Sequence, residues 1–250
     1  MSNNNPFSDL DFDGFRKLAS DPSLSMYEKI GFPDTYRAGY EEAIFADIRA
    51  KLPQLSQKNK VILDIGPGCS ELPLMLIEHC RQHEHRVILI DSQEMLDNLP
   101  DAEFITKFPG YYPNETARFI EEYQGKIDVI IVYSVMQYVF AEGNIYDFLD
   151  KSLSLLNTGG RLLIGDIPNI SKRKRFFSSE SGIAYHKAFM KTDTAPVVEN
   201  QKIEFKTIDD AVIFGLMQRS RSAGFDSYLL PQSDSLPMAN RREDLLIQRP

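Results

Sequence analysis

Cysteine is scarce in this chain of 250 residues, which contains only Cys69 and Cys80. Two cysteines without CxxC spacing do not form a disulfide framework, so a reducing, cytoplasmic location is expected. Long apolar runs are also missing, because no stretch approaches the roughly 20 residues that a membrane span needs. The first residues contain no basic segment followed by an apolar run, so we expect no signal peptide.

Basic charge is in the minority. The chain has 28 Lys and Arg residues against 36 Asp and Glu residues, and its formal net charge is −8. A general nucleic-acid-binding protein needs a basic surface for phosphate contacts, so that class is not expected. Hydrophobic residues make up 42% and charged residues 26% of the chain, which is typical of a globular protein whose length suits one domain with additions.

From Lys60 onward, short apolar runs alternate with helical patterns. The runs are nearly continuous in Val, Ile and Leu, which is typical of parallel strands buried on both faces. They are VILDI (61–65), RVILID (86–91), AEFIT (102–106), KIDVIIVY (126–133) and RLLIGDI (161–167). The helical patterns between them are 71–82, 93–98, 114–123 and 144–156. This alternation predicts an α/β fold with a doubly wound, mostly parallel sheet.

Two more strands, FDSYLL (225–230) and DLLIQ (244–248), complete a predicted seven-stranded, Rossmann-like sheet. The short connection between them leaves no room for a crossover helix, so they are predicted to pair antiparallel. We expect residues 1–57 to form a helical N-terminal cap and residues 58–250 to form the core. Within the core, residues 168–206 interrupt the alternation and are predicted to form a lid over the active site.

The loop after the first predicted strand, DIGPGCSEL (64–72), is the clearest signal of a ligand. Gly66 and Gly68 let the backbone turn sharply and approach a ligand closely. The dinucleotide fingerprint G-x-G-x-x-G is incomplete, because Glu71 occupies its last position and its carboxylate would repel a pyrophosphate. The pattern therefore suits a ligand with an adenosine and no phosphate. Asp91 ends the second strand, where an acid can bind both hydroxyls of a ribose.

Four segments resemble the successive motifs of class I S-adenosylmethionine-dependent methyltransferases. They are DIGPGCSEL (64–72), LIDSQEML (89–96), IDVIIVYSVMQYV (127–139) and LLNTGGRLLIGD (155–166). The resemblance covers roughly residues 58–167 and 207–248, and it implies S-adenosylmethionine as the cofactor. Two positions depart from the family pattern: Ser70 stands where a third Gly is frequent, and Thr106-Lys107 stands where an acid is frequent.

The resemblance also implies the cofactor-binding residues, in four groups. Asp64, Gly66, Pro67 and Gly68 would surround the methionine part. Asp91, Ser92 and Gln93 would contact the ribose and the adenine. Lys107 and Phe108, in the loop after the third strand, would flank the adenine. Tyr133, Ser134 and Gln137 would lie beside the sulfonium. In addition, Tyr36 and Arg37 are candidates to close over the cofactor carboxylate.

The residues that act on the acceptor are less clearly marked, because methyl transfer mainly requires alignment. A base helps when the acceptor is a hydroxyl, and His186 in the predicted lid is the first candidate for it. Tyr185, Asp166 and Glu142 are further candidates, and purely structural roles remain open for all four. The remaining histidines, His79, His83 and His85, are expected to form a solvated surface cluster and no metal site.

The sequence thus predicts a methyltransferase that acts on a small molecule, at a hydroxyl of a sugar or a similar metabolite. The basic run Lys172 to Arg175 either attracts an anionic acceptor, such as a nucleotide-linked sugar, or forms a solvated loop. Two other functions stay open: an NAD(P)-dependent oxidoreductase, and a non-catalytic protein that binds S-adenosylmethionine. The oligomeric state, including a homodimer, is also open.

Overall fold

A computed structural model of the chain describes residues 10–32, 39–202 and 204–250. Within these residues the sheet has seven strands in the order β3-β2-β1-β4-β5-β7-β6. The strands are β1 (Val61–Ile65), β2 (Arg86–Asp91), β3 (Ile105–Pro109), β4 (Ile127–Tyr133), β5 (Leu156–Pro168), β6 (Asp226–Pro231) and β7 (Arg242–Gln248). Neighbours among β1 to β5 are parallel, and β7 is antiparallel to both β5 and β6. The predicted fold class is confirmed.

Helices pack on both faces of this sheet. In chain order they are α1 (Phe12–Ser20), α2 (Met26–Lys29), α3 (Glu41–Lys51), α4 (Glu71–Gln82), α5 (Gln93–Leu96), α6 (Ala117–Tyr123), α7 (Met136–Glu142), α8 (Ile145–Leu155), α9 (Ile170–Phe177), α10 (Glu180–Met190) and α11 (Asp210–Ser222). None of the helices in the described ranges is long and apolar enough to cross a membrane.

The two faces of the sheet carry separate apolar cores. Leu63 of β1 belongs to the core shared with α6, α8 and α11, while its neighbour Ile62 belongs to the core shared with α3 and α4. Successive residues of a strand point to opposite faces, so a strand covered on both sides needs apolar residues at every position. This is why the strand sequences are continuous runs of Val, Ile and Leu.

The third strand lies three residues later than predicted, at 105–109 in place of 102–106. The reason is a turn at its start, in which the Ile105 N–H donates to the Ala102 carbonyl at 3.0 Å. Regular pairing with β2 begins only at Ile105, opposite Val87. The loop after the strand therefore begins at Gly110.

The segment 168–206 contains two helices, α9 and α10, and the basic run SKRKRFF forms most of α9. Asn169 caps α9, because its Oδ1 accepts hydrogen bonds from the N–H groups of Ser171 and Lys172. The alternative that this run is a solvated loop is therefore wrong. The boundaries of the cap, the core and the lid remain predictions.

The prediction of a solvated histidine cluster is wrong for His79 and His85, which are buried. The Nε2 atoms of both rings lie within hydrogen-bonding distance of the Leu55 carbonyl oxygen, at 2.8 and 3.0 Å. The Lys60 N–H donates to Nδ1 of His85 at 3.0 Å. These contacts attach the segment before β1 to the end of α4 and the start of β2.

Candidate active site

A cavity of about 160 Å³ opens at the carboxyl ends of β1, β2 and β4. Strand β1 pairs with β2 on one side and with β4 on the other, so the chain connections leave β1 in opposite directions. Ligands of open α/β sheets bind at this switch point. Seven of the residues that were predicted as cofactor contacts line the cavity: Asp64, Gly66, Pro67, Gly68, Asp91, Tyr133 and Ser134.

The glycine loop is held in place by β2. The Gly66 N–H donates to the Ile90 carbonyl at 2.8 Å, and the Gly68 N–H donates to Oδ2 of Asp91 at 3.0 Å. Both glycines have positive φ, +72° and +66°, a region that other L-residues rarely adopt. A Cβ on Gly68 would lie 2.7 Å from a methyl group of Ile30. The loop therefore requires glycine for its conformation and for its packing.

Asp91 presents a carboxylate that is already anchored. Its Oδ1 accepts a second hydrogen bond, from the Ser92 N–H at 2.7 Å. Burial raises the pKa of Asp91 to about 6, and the two N–H donors oppose this rise. A carboxylate held by two backbone donors keeps a fixed orientation and still has lone pairs for a ligand.

Asp64 lies in the same wall and is buried. No hydrogen bond joins its carboxylate to any residue that the structure describes. Burial raises the pKa of Asp64 to about 8, and the negative charge of Asp91 adds to the shift. A buried carboxylate without a partner is costly, so this position favours a ligand that brings a cation or a hydrogen-bond donor.

The charged side chains of the cavity wall all have one sign. Glu142, at the end of α7, is the third acid beside Asp64 and Asp91, and no Lys or Arg stands among the described wall residues. Burial raises the pKa of Glu142, whereas a hydrogen bond from the Phe12 backbone opposes this shift. We refer to this space as the acidic cavity.

The acidic cavity is closed by aromatic side chains of the N-terminal helix α1. Phe15 packs edge-on against Tyr138, with ring centroids 4.9 Å apart, and Phe12 packs against Tyr111 at 5.0 Å. The sequence analysis missed Phe12 and Phe15. Their spacing of three residues, directly after the cap residue Asp11, is the local signal of a helix with one aromatic face.

Five predicted cofactor contacts are not in the wall of the acidic cavity. Ser92 caps α5, and Gln93 donates a hydrogen bond to Asp97. Lys107 donates to the Leu99 carbonyl, and Phe108 packs against Phe119. Both precede the true end of β3, and Gly110, Tyr111 and Tyr112 line the cavity in their place. Gln137 lines a neighbouring cavity.

Asp166 lies near the end of β5, next to the acidic cavity. Together with Tyr133 and Arg242 it lines a small space of about 20 Å³ that adjoins the acidic cavity at Tyr133. The Ser134 hydroxyl donates to the Asp166 carboxylate, and Nη1 of Arg242 lies 3.2 Å from the same oxygen. Ser134 and Asp166 both have positive φ, +59° and +58°, and such strained residues cluster at functional sites.

The other two catalytic candidates lie elsewhere. His186 and Tyr185 belong to α10, and the His186 ring faces Phe177 at 6.2 Å between centroids. Neither residue lines the acidic cavity. Tyr36 and Arg37 fall outside the described residues. Across the part of the chain that is described, His, Cys, Asp and Glu form no group of three or more that could hold a metal ion.

No family model matches the chain, and no curated protein matches it. Solved structures match it along most of its length. A chain of the complex between the Haloferax volcanii Trm112 methyltransferase activator and a methyltransferase has a TM-score of 0.53 at 13% identity, and the match covers 97% of this chain and 99% of that chain. The plantazolicin methyltransferase BamL has a TM-score of 0.56 at 12% identity, and the match covers 94% of each chain.

A third similar structure is phosphoethanolamine N-methyltransferase 1 of Haemonchus contortus, with a TM-score of 0.56 at 14% identity. The match covers 96% of this chain and 50% of that chain. Together with the sheet order and the antiparallel β7, these similarities identify the architecture. The chain has the fold of the class I S-adenosylmethionine-dependent methyltransferases.

Proposed function

We propose that this protein binds S-adenosylmethionine in the acidic cavity and transfers its methyl group to a small molecule. The observation that carries the proposal is the buried carboxyl group of Asp64, which has no hydrogen-bond partner among the described residues, in a wall whose described ionisable groups include acids and no Lys or Arg. S-adenosylmethionine has an ammonium and a sulfonium group, which such a wall favours. A dinucleotide brings two negatively charged phosphates, for which the described wall offers no Lys or Arg as a partner.

Each cofactor group has a matching element in the cavity. Asp64 would bind the ammonium group, and Gly66 and Pro67 would lie beneath the methionine part. Asp91, held by the Gly68 and Ser92 N–H groups, would bind the two ribose hydroxyls in the bidentate manner of charge-assisted hydrogen bonds.

When bound, the cofactor supplies a methyl group that is activated by the positive sulfur. The chain then has to place the acceptor in line with that group and to exclude water. Tyr133 and Ser134, at the end of β4, line the cavity and adjoin Asp166. Asp166 and Glu142 are the carboxylates on this side, and in this proposal one of them takes the proton of an acceptor hydroxyl.

The acceptor is proposed to be a small molecule that reacts through a hydroxyl, such as a sugar or a similar metabolite. One of the similar structures is named for a small acceptor, as phosphoethanolamine N-methyltransferase 1. A carboxylate base is more useful for a hydroxyl than for a neutral amine, which needs no deprotonation before attack.

The test is a calorimetric titration of the protein with S-adenosylhomocysteine, the product of the proposed reaction, and with NADH. We expect S-adenosylhomocysteine to bind with a dissociation constant on the order of 1 μM, about −8 kcal/mol. Asp91→Asn keeps the shape of the side chain and should weaken binding by about tenfold or more. Asp97→Asn is the matched control, because this exposed carboxylate next to α5 lies outside the cavity.

Four other outcomes would contradict the proposal in different ways. Binding of NADH without S-adenosylhomocysteine would favour the oxidoreductase. No binding of either compound by a folded protein would assign the cavity to another ligand. Equal loss of binding in Asp91→Asn and Asp97→Asn would remove Asp91 from the site. A non-catalytic protein would bind S-adenosylhomocysteine normally but would methylate no acceptor.

A further inference from the structure

A second cavity, of about 240 Å³, has the opposite charge to the acidic cavity. Its wall includes four cations: Arg173 of α9, Lys206, and Arg241 and Arg242 at the start of β7. Among the described residues of this wall there is no carboxylate. In a chain of net charge −8, such a concentration of positive charge stands out. We refer to this space as the basic cavity.

Most of this charge is not neutralised. Arg242 is paired with Asp166, whose Oδ2 lies 3.2 Å from Nη1. By contrast, Arg173, Lys206 and Arg241 form no ion pair with any residue in the described ranges. Three cations around one space repel each other, so an anion in that space would stabilise all of them.

The partners of helix α9 show that Arg173 is the exception in its segment. The other basic residues of the run SKRKRFF each pair with a carboxylate: Lys172 with Glu243, Lys174 with Glu204, and Arg175 with Asp210. Arg173 instead lies over the Phe177 ring, 5.7 Å from its centroid, and Arg241 lies 5.6 Å from the same ring. Phe177 thus brings the two guanidinium groups together at the wall of the basic cavity.

Arg241 gives the clearest indication of a ligand site. Its Nε atom is buried and has no hydrogen-bond partner among the described residues. Burial lowers the pKa of Arg241, the nearby Tyr185 hydroxyl opposes this, and repulsion from Arg173 and Arg242 adds to the lowering. The Gln137 Oε1 atom, in the same wall, is also buried and unpartnered within the described chain. Buried donors and acceptors are normally satisfied, and a polar ligand would satisfy both.

The basic cavity and the acidic cavity share wall residues with one small space. The small space beside Asp166 shares Met238 and Arg242 with the basic cavity, and it shares Phe32 and Tyr133 with the acidic cavity. An acceptor that occupies both cavities would therefore extend along Tyr133 and Asp166.

We propose that the basic cavity binds an anionic group of the acceptor, a phosphate monoester, through Arg173, Arg241 and Lys206. The anion site rests on the proposed function, because the cofactor position determines the direction in which the acceptor extends. A phosphate monoester carries about −1.5 to −2 charges near neutral pH, which three cations without a direct ion pair in the described chain match better than the single charge of a carboxylate. Guanidinium groups also bind phosphate oxygens in a bidentate manner. Tyr185 is a positioning residue here, because it contacts Arg241.

The test is a calorimetric titration of the full chain with inorganic phosphate at constant ionic strength, with and without S-adenosylhomocysteine. We expect a dissociation constant on the order of millimolar, and weaker binding of acetate, the carboxylate probe. Arg241→Gln and Arg173→Gln should each weaken phosphate binding by about fivefold or more. Arg175→Gln is the matched control, because it lies on the same helix, removes the same charge and is paired with Asp210.

Equal weakening in the three variants would show a general effect of charge and would overturn the site. So would the absence of phosphate binding up to concentrations on the order of 10 mM, or acetate binding as tight as phosphate. Affinity for S-adenosylhomocysteine should be unchanged in all variants. If phosphate binding depends on Arg241 but S-adenosylhomocysteine does not bind, the proposed function fails and the anion site stands. The reverse result refutes the anion site alone.

Discussion

Asp91 accepts a hydrogen bond from the backbone N–H of Gly68, 3.0 Å from nitrogen to Oδ2. This contact joins the loop after β1 to the end of β2, two neighbouring strands that are separated by a full helix in sequence. The residue proposed to bind the ribose and the loop proposed to lie beneath the methionine part therefore form one unit. A change in either should weaken the binding of the whole cofactor.

Gly68→Ala tests this unit. At φ +66° an alanine costs about 1–2 kcal/mol of stability, and its Cβ would lie 2.7 Å from the Ile30 side chain. The loop must shift, so we expect the affinity for S-adenosylhomocysteine to fall by about tenfold or more in a calorimetric titration.

Gly159→Ala is the matched control for this change. Gly159 has a similar φ, +77°, and no atom lies within 4 Å of the Cβ position. We expect it to lose a comparable free energy of unfolding, about 1–2 kcal/mol, and to bind S-adenosylhomocysteine normally. Equal affinities for the two variants would contradict the role of the loop.

The elements that local patterns control were predicted well from the sequence. Strands β1 and β2 and helix α4 lie where the apolar runs and the helical period place them. Strand β3 was predicted three residues too early, because a turn with a hydrogen bond from the Ile105 N–H to the Ala102 carbonyl precedes its pairing with β2. That shift of three residues is also why Lys107 and Phe108 were chosen in place of Gly110 and its neighbours.

The parts of the site that depend on tertiary packing were not predicted. Nothing in the local sequence around Phe12 and Phe15 shows that α1 covers the ends of β1 and β2, about 50 residues or more along the chain. Likewise, the basic run has four similar residues, and only the paired carboxylates on other elements distinguish Arg173 from the rest. Contacts between distant segments determine these features.

Asp64 should make cofactor binding depend on pH. Burial and the charge of Asp91 raise the pKa of Asp64 to about 8 in the free protein, so near neutral pH this carboxyl is mostly protonated. An ammonium group beside it favours the carboxylate, and binding then releases a proton. We expect affinity for S-adenosylhomocysteine to rise between about pH 6 and pH 8. Titrations in buffers with different ionisation enthalpies measure the released proton directly.

Asp64→Asn provides the control for this linkage. The asparagine variant should release no proton and should bind S-adenosylhomocysteine more weakly. In the absence of ligand, a rise in pH has the opposite effect: it lowers the stability of the wild-type protein, whereas it strengthens ligand binding. The folded wild type holds the Asp64 proton more tightly than the unfolded chain, so its free energy of unfolding falls as pH rises from about 4 to about 8. Asp64→Asn should lose this part of the pH dependence in urea denaturation, and an unchanged profile would contradict the raised pKa.

His85 should support stability only as a neutral ring. Its Nδ1 accepts from the Lys60 N–H, so Nε2 carries the hydrogen that is donated to the Leu55 carbonyl. Burial lowers the pKa of His85 below its usual 6.5. The unfolded chain then binds the proton more tightly, and the free energy of unfolding falls as pH drops through about 6.5.

His85→Leu should lower the free energy of unfolding by about 1–3 kcal/mol at pH 8. The Lys60 N–H then loses its acceptor, and the Leu55 carbonyl loses its contact with His85. The variant should also be less sensitive to acid. His83→Leu is the control, since the ring of His83 is partly exposed and stacks beside the His85 ring, while its one hydrogen-bond contact in the described chain is from Nδ1 to the His79 carbonyl. Urea denaturation at two pH values measures both effects, and equal costs for the two variants would refute the assignment.

A buried ion pair between Lys51 and Asp244 supports the strand ends next to the candidate site. Nζ of Lys51 lies 2.7 Å from Oδ2 of Asp244, whose side chain is fully buried. The other oxygen of Asp244 accepts the backbone N–H of Asp166 at 2.8 Å and the amide of Gln232 at 3.1 Å. The left-handed backbone of Asp166 is therefore fixed from β7, through a carboxylate that itself needs Lys51.

Removing one partner of this pair should be costly. Lys51→Met leaves Asp244 buried without its cation. Removing one partner of a buried ion pair lowers the free energy of unfolding by about 3–5 kcal/mol. Lys58→Met breaks the exposed pair with Glu84, whose side chains are 64% and 58% exposed, and should cost at most about 1 kcal/mol. The double variant Lys51→Met/Asp244→Asn should be more stable than the sum of the single changes implies, by about 0.5–3 kcal/mol. Additive losses in urea denaturation would show that Lys51 and Asp244 act independently.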